Sequence, residues 1–301
     1  MNSDTATLRA VRFAPGTRHG LPAPGAPQAG GAVREQPASG TSLVTVRIAR
    51  FSKGDGVAFG VVEESGEVVA RIDGHPFGGV EFAGDRYPVA EVRLVAPMLP
   101  SKIVAVGKNY ADHAREMGGE APEEPLVFLK PSTSVIGPGE AIAYPAKLSQ
   151  RVDYEGELAV VIGRLCRDVP VERAHEVIFG YTCANDVTAR DLQQRDGQWS
   201  RAKGFDTFCP IGPWIETDLD PGDLALTTSV NGELRQSART SLLLHDIPAL
   251  IAYVSAVMTL LPGDVILTGT PAGVGPLAVG DEVSVGIEGI GTLTNRVISR
   301  D

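Results

Sequence analysis

The sequence predicts a β-rich α+β fold, and three observations carry that expectation. Short apolar runs, many alternating with polar residues, recur from Leu43 almost to the end and are broken by Gly and Pro. Helical patterns are few and do not alternate regularly with the strands, which argues against a doubly wound sheet. Asn231-Gly232 stands between two alternating arms in "ALTTSVNGELRQSART", the pattern of a two-residue hairpin loop. With 301 residues, 43% hydrophobic and 21% charged, the chain can pack one large core or two modest ones.

Nearly half of residues 1–42 are Ala, Gly or Pro, in runs such as "LPAPGAPQAGG". Such a segment cannot bury enough apolar surface to offset its ordering entropy, so it reads as a disordered extension with order starting near Leu43–Val46. Its arginines and scarce acids also weakly resemble a transit peptide, but an apolar h-region is missing, so it is not a secretory signal. "LVTVRIARF" and "GVAFGVVEESGEVVARI" alternate as strands around an "ESGE" turn, predicting a small antiparallel β module over 43–98. "VAPMLPSK" connects it to a main domain over 99–301. Helices are expected at "NYADHAREMGG", with an Asn109 cap and a Gly118–Gly119 stop, at "VPVERAHEVI" behind Pro170, and at the apolar "HDIPALIAYVSAVMTLL". "PGD" at 221–223 and 262–264 and "VGD" at 279–281 read as turns.

The formal net charge of -10 argues against nucleic-acid binding. No apolar stretch approaches the roughly 18–20 residues that span a bilayer. The three cysteines, Cys166, Cys183 and Cys209, are odd in number and lack CxxC spacing, so a reducing cytosol fits better than a disulfide or zinc framework. Cys183 and Cys209 lie in apolar runs and read as core rather than nucleophiles. His19, His75, His175 and His245 read as structural or solvated.

One apolar run carries an anomaly. "VDYEGELAVVIG", residues 152–163, holds Glu155 and Glu157 two positions apart. On one strand both carboxylates point the same way and repel. A third acid, Asp186, ends the apolar strand of "FGYTCANDVTARDLQ". A divalent cation would remove the repulsion. Oxygen ligands without a nearby His or Cys favour a hard ion, Mg²⁺ or else Mn²⁺ or Ca²⁺. Three carboxylates leave about three octahedral positions open for water or substrate. Taken alone, E-x-E also reads as the solvated face of an edge strand, and Asp153 nearby fits that too.

Seven segments in order, "KIVAVGKNYADHAREMG", "PLVFLKPSTSVIGPG", "DYEGELAVVIG", "GYTCANDVTARDLQ", "RAKGFDTFCPIGPW", "VNGELRQ" and "LLPGDVILTGTPAGVG", resemble the fumarylacetoacetate hydrolase family over most of 100–297. The resemblance is nearest to its acylpyruvase and 2-hydroxyhepta-2,4-diene-1,7-dioate isomerase-like branch. It implies a catalytic domain built as a mixed β-roll or sandwich, usually homodimeric, with Glu155, Glu157 and Asp186 holding one Mg²⁺. The eponymous hydrolase has a further metal carboxylate just before its catalytic His and orients that His with a distant Glu. Here Val106–Lys108 and "TGTPAGVGPLAVG" contain no acid, which places the chain outside that branch.

His113 and Glu116 have i, i+3 spacing and share one helix face. A carboxylate beside an imidazole sets its tautomer and raises its basicity, so the pair can activate a water; an ordinary surface pair has the same spacing. In the family this helix belongs to a lid, and Gly118 and Gly119 would permit a hinge. Lys130 ends an apolar strand, where it can bind a substrate carboxylate or enolate. Lys203 in "RAKGFD" is a similar candidate, near the ion by resemblance. Arg190 and Gln193 follow Asp186 by four and seven, one helix face if a turn starts there, and reach toward the distal end of a substrate or serve in ordinary salt bridges. Thr270 in "LTGTP" offers its N–H and hydroxyl to a carboxylate, or is simple turn chemistry. "GKNY" lacks the P-loop frame.

An ion with open positions suits a 2-oxo acid, whose C1 carboxylate and C2 oxygen chelate together while enolate charge gathers on that oxygen. C–C hydrolysis, decarboxylation and dienol isomerisation are all compatible with such a site. The expected function is a Mg²⁺-dependent enzyme on small 2-oxo or 2-hydroxydienoic acids, isomerase-like or an acylpyruvate hydrolase, in aromatic-compound breakdown. An oxaloacetate decarboxylase and a non-catalytic metal-stabilised scaffold are the alternatives.

Overall fold

The computed structural model describes residues 46–54 and 56–300, and the extension expected over 1–42 lies outside the described residues. Strands β1 (Arg47–Lys53), β2 (Gly56–Val62), β3 (Val68–Ile72) and β4 (Phe82–Pro88) pair antiparallel in sequence order, and β5 (Arg93–Val95) returns to pair with β1. There follow β6 (Ile103–Gly107), α1 (Ala111–Glu116), β7 (Leu126–Lys130), β8 (Val135–Ile136), β9 (Ala141–Tyr144), β10 (Val152–Tyr154) and β11 (Gly156–Ile162). Next come β12 (Ile178–Asn185), β13 (Thr188–Ala189), α2 (Arg190–Asp196), α3 (Ser200–Lys203), β14 (Cys209–Glu216), β15 (Ala225–Val230) and β16 (Glu233–Arg239). The chain ends with α4 (Ile247–Val257), β17 (Val265–Leu267), β18 (Gly275–Leu277), β19 (Glu282–Ile287) and β20 (Gly291–Ser299).

The N-terminal strands do not stand apart. Arg47 and Ile48 of β1 pair with Glu216 and Ile215 of β14, so one twelve-stranded sheet runs β4-β3-β2-β1-β14-β12-β11-β17-β6-β7, with β5 and β8 attached to it. A five-stranded sheet, β16-β15-β19-β20-β9, packs over the β11–β12–β14 region, and a three-stranded sheet joins β13, β10 and β18. The β-rich, helix-poor architecture expected from the sequence is the one observed.

Strand β11 sits in the middle and is buried on both faces. Leu158, Val160 and Ile162 meet α4 and the five-stranded sheet, while Ala159 and Val161 meet Ile48, Ile103 and Val265. That explains why its sequence is almost continuously apolar. The hairpin between β15 and β16 turns through Asn231 (φ 52°) and Gly232 (φ 80°), as a primed two-residue loop requires.

Three local expectations change. The segment behind Pro170 forms a 3-10 helix, Val171–Val177. The apolar helix is shorter than its pattern, because Asp246 caps it, accepting from Ala249 N at 2.9 Å, and it stops at Val257. Helix α1 begins behind Tyr110 rather than Asn109. The Asn109 amide instead donates to Thr268 O (2.8 Å) and His245 O (3.0 Å) and accepts from His245 N (2.9 Å), tying three segments together. At its other end α1 closes as expected: Gly118 (φ 74°) is the left-handed residue of a Schellman cap, with Gly119 N on Ala114 O and Gly118 N on Arg115 O.

Candidate active site

The paired glutamates straddle a break. Strand β10 ends at Tyr154 and belongs to the three-stranded sheet, whereas β11 starts at Gly156 in the large one. The expectation of a single strand carrying both acids is therefore corrected: Glu155 is the residue at which the chain changes sheets. Only glycine fits between the acids, because a Cβ on Gly156 would lie 2.0 Å from Thr228 Oγ1. Asp186 follows directly on β12 and its N–H donates to Glu155 O at 2.8 Å. The register Gly156↔Asn185 thus brings the two chain breaks side by side.

All three acids are buried, and one carboxylate oxygen of each lies within 4.8 Å of the others. Cations already neutralise part of the cluster. Lys203 Nζ donates to Glu155 Oε2 (2.8 Å) and Asp186 Oδ2 (2.6 Å). Arg190 donates to Glu155 Oε1 (2.5 Å), Asp153 Oδ2 (2.9 Å) and Gln193 Oε1 (2.7 Å). Lys130 donates to Asp186 Oδ1 and to Val187 O (3.2 Å). Burial opposes ionisation of Glu155, but Lys203 and Arg190 hold its pKa well below the usual carboxylate range. Glu157 is the opposite case: burial, then Asp186 and Glu155, push its pKa well above that range, and only Gly269 N (2.7 Å) bonds it in compensation. An all-oxygen trio with one acid short of positive charge fits a divalent cation. Burial lowers the pKa of Lys203, but Asp186 and Glu155 outweigh it and keep the ammonium charged.

The cluster opens into a narrow cavity of about 40 Å³, open to solvent on one side. Its walls include Glu155, Glu157, Lys203, Arg190, Gln193 and Thr270, so six of the residues singled out in the sequence meet there, and His113 joins them. His113 is buried, with Nδ1 3.2 Å from Glu116 Oε2. Glu116 also accepts from Gly273 N at 3.0 and 3.2 Å, which pins α1 to the loop after β17. Lys130 is absent from the cavity wall and lies beneath Asp186. Arg190 and Gln193 do lie on one face of α2, but that helix starts at Arg190; a helical turn from Asp186 does not form, since Thr188–Ala189 pair with β10. The Thr270 hydroxyl is occupied, donating to Gly156 O (2.9 Å) and accepting from Gln236 Nε2 (2.8 Å). Cys183 and Cys209 are fully buried, and burial raises both thiols to about 12, so neither is a nucleophile.

Several contributors carried no sequence signal. Gln236 accepts from Gly156 N (3.0 Å) and donates to Pro271 O (2.8 Å), which fixes the backbone between the glutamates. Trp199 and Lys108 line the cavity, and Gly107 admits the indole, since a Cβ there would lie 2.7 Å from Trp199 Cζ3. Trp199 packs edge-on against Phe128 at 5.2 Å, whose ring lies 5.0 Å from Lys203 Nζ.

This geometry has relatives. The fumarylacetoacetate (FAA) hydrolase C-terminal family model matches residues 102–298, and an Rv2993c-like N-terminal model matches 46–97. Protein Rv2993c of Mycobacterium tuberculosis is 59% identical over 263 residues, 85% of this chain and 99% of its own. The oxaloacetate tautomerase YisK of Bacillus subtilis is 46% identical over 231 residues, 72% of this chain and 77% of its own. Among solved structures, a 5-carboxymethyl-2-hydroxymuconate delta-isomerase from Mycobacterium smegmatis is 60% identical, with a TM-score of 0.79 over 84% of this chain and 99% of its own. A maleylpyruvate hydrolase from Sphingobium, solved with manganese(II) and pyruvate, is 36% identical, with a TM-score of 0.71 over 85% of this chain and 100% of its own. The chain belongs to the fumarylacetoacetate hydrolase family and is one of its enzymes.

Proposed function

We propose that the enzyme moves a proton on a small 2-oxo or 2-hydroxydienoic acid through an enolate, as a tautomerase or isomerase. The observation that carries this reading is the buried trio Glu155, Glu157 and Asp186 sharing one cavity with a buried imidazole. The trio would hold a divalent ion, Mg²⁺ or Mn²⁺, which when bound supplies a Lewis acid for the charge developing on the substrate's C2 oxygen. Glu116 on Nδ1 of His113 sets the tautomer and leaves Nε2 as the base. His113 takes the C3 proton, and the C–H electron pair becomes the C2=C3 bond. Return of that proton to oxygen gives the enol; from a 2-hydroxydiene the base instead takes the hydroxyl proton, the O–H pair becomes the C2=O bond, the double bonds shift and the proton is delivered to the distal diene carbon, giving the 2-oxo isomer. Lys203 keeps Glu155 ionised and holds Glu155 and Asp186 aligned. Trp199 and Met117 supply apolar wall that excludes water.

Proton transfer is favoured over hydrolysis because the isomerase neighbour is 60% identical, whereas the hydrolase neighbours are 42% and 36% identical. The resemblance also supports a homodimer and a place in aromatic-compound breakdown, and the three cysteines without CxxC spacing support residence in a reducing cytosol. The test is one assay panel with Mg²⁺ or Mn²⁺: 2-hydroxyhepta-2,4-diene-1,7-dioate, oxaloacetate, fumarylacetoacetate and short acylpyruvates. We expect tautomerisation or isomerisation to dominate and to fall at least 100-fold in His113→Ala, with ion dependence lost in Asp186→Ala. Turnover by C–C cleavage alone, or full activity in both variants, would overturn the reading.

A further inference from the structure

Lys108 is the one cavity-lining cation without a carboxylate partner among the described residues, whereas Lys203 and Arg190 are bonded to acids. It is half-buried and held at φ 56°, a conformation a lysine adopts only when its surroundings impose it. Its ammonium rests over Gly119, where a Cβ would come within 3.0 Å of Nζ. The turn after α1 is therefore shaped to leave room for this side chain.

The charge of the site gives the ammonium a purpose. Outside the His113–Glu116 pair, four buried carboxylates, Asp153, Glu155, Glu157 and Asp186, meet the buried cations Lys130, Arg190 and Lys203 and the exposed Arg151, which bonds Asp153 at 3.0 and 3.2 Å. With all four acids ionised these charges balance. A divalent ion makes the site positive, and Lys108 adds a positive charge that pairs with no carboxylate among the described residues. A 2-oxo monoacid brings one negative charge into this cavity; a 2-oxo diacid brings two. Resting on the 2-oxo acid reading above, we propose that Lys108 binds the distal carboxylate of a dicarboxylate substrate and makes the site selective for diacids over monoacids of equal length.

Calorimetry on the Mn²⁺-loaded enzyme tests this with two matched pairs: oxaloacetate against 2-oxobutyrate, and 2-oxoglutarate against 2-oxopentanoate. Within each pair the head group and carbon count are the same and only the distal carboxylate differs. The wild type should bind the diacid of at least one pair more tightly. Lys108→Met should weaken that diacid by roughly 10- to 100-fold, the usual worth of a charge-assisted hydrogen bond, while its monoacid stays within about 3-fold. Lys108→Arg should recover most of the loss. Equal weakening of diacid and monoacid would show that Lys108 only steadies the end of α1, and equal wild-type affinity for both would refute the selectivity; either result leaves the 2-oxo acid reading standing. Failure of all four acids to bind would overturn both.

Discussion

Replacing Lys203 by Met removes one ammonium and keeps an apolar chain of similar length against Phe128. Two charge-assisted bonds disappear, at 2.8 Å to Glu155 and 2.6 Å to Asp186, and both acids stay buried. Each such bond contributes about 1.5–3 kcal/mol, and breaking a buried pair by removing one partner costs about 3–5 kcal/mol. For a chain of this size about 1 kcal/mol shifts Tm by roughly 2–4 °C, so the ion-free variant should melt about 10 °C lower. The acids left behind are the ones assigned to the ion. Mn²⁺ should therefore bind Lys203→Met more tightly than the wild type, by about 10-fold or more, and restore most of the lost Tm. Differential scanning calorimetry in EDTA and across a Mn²⁺ titration measures both. An ion-free Tm within about 2 °C of wild type, or weaker Mn²⁺ binding, would refute the claim that ammonium and metal compete for the same charge.

The remaining predictions concern the two glutamates. Because the pKa of Glu157 is raised in the ion-free fold, first by burial and then by Asp186 and Glu155, the fold prefers its protonated form. The stability from that preference is full below the ordinary carboxylate range and is lost as pH rises through the folded pKa. In EDTA, Glu157→Gln should match the wild-type Tm near pH 4 and exceed it at pH 8, while losing Mn²⁺ binding; a Tm difference independent of pH would contradict this. Gly156→Ala forces a Cβ to within 2.0 Å of Thr228 Oγ1, so it should cost about 1–3 kcal/mol in denaturant melts and weaken Mn²⁺ binding by displacing both acids. Adding Thr228→Ala should recover part of that loss, and a Gly156→Ala protein as stable as wild type would show that the break has room to spare.

Local chemistry carries a long way in this chain. Apolar alternation, Asn231-Gly232 and the Gly118 stop specify strands, a hairpin and a helix end through near-neighbour sterics alone, and all three stand in the fold. The acids were legible because charge in an apolar run is anomalous wherever it occurs. Side-chain partners are a different matter, since they depend on which distant strands meet. The spacing of Asp186, Arg190 and Gln193 suggested one helix, yet a strand intervenes, and Arg190 turns back to Asp153 and Glu155. Asn109 looked like a cap until Thr268 and His245 proved to be its partners. Glu155 and Glu157 looked like neighbours on one strand, but long-range pairing of β10 with β18 and β11 with β12 pulls the chain into two sheets between them. The sequence by itself determined that acids would interrupt or end apolar strands, and left open whether they face solvent or the interior. Tertiary structure alone decided which acid is left without a cation, because that balance is set by contacts between residues up to 56 positions apart in the chain.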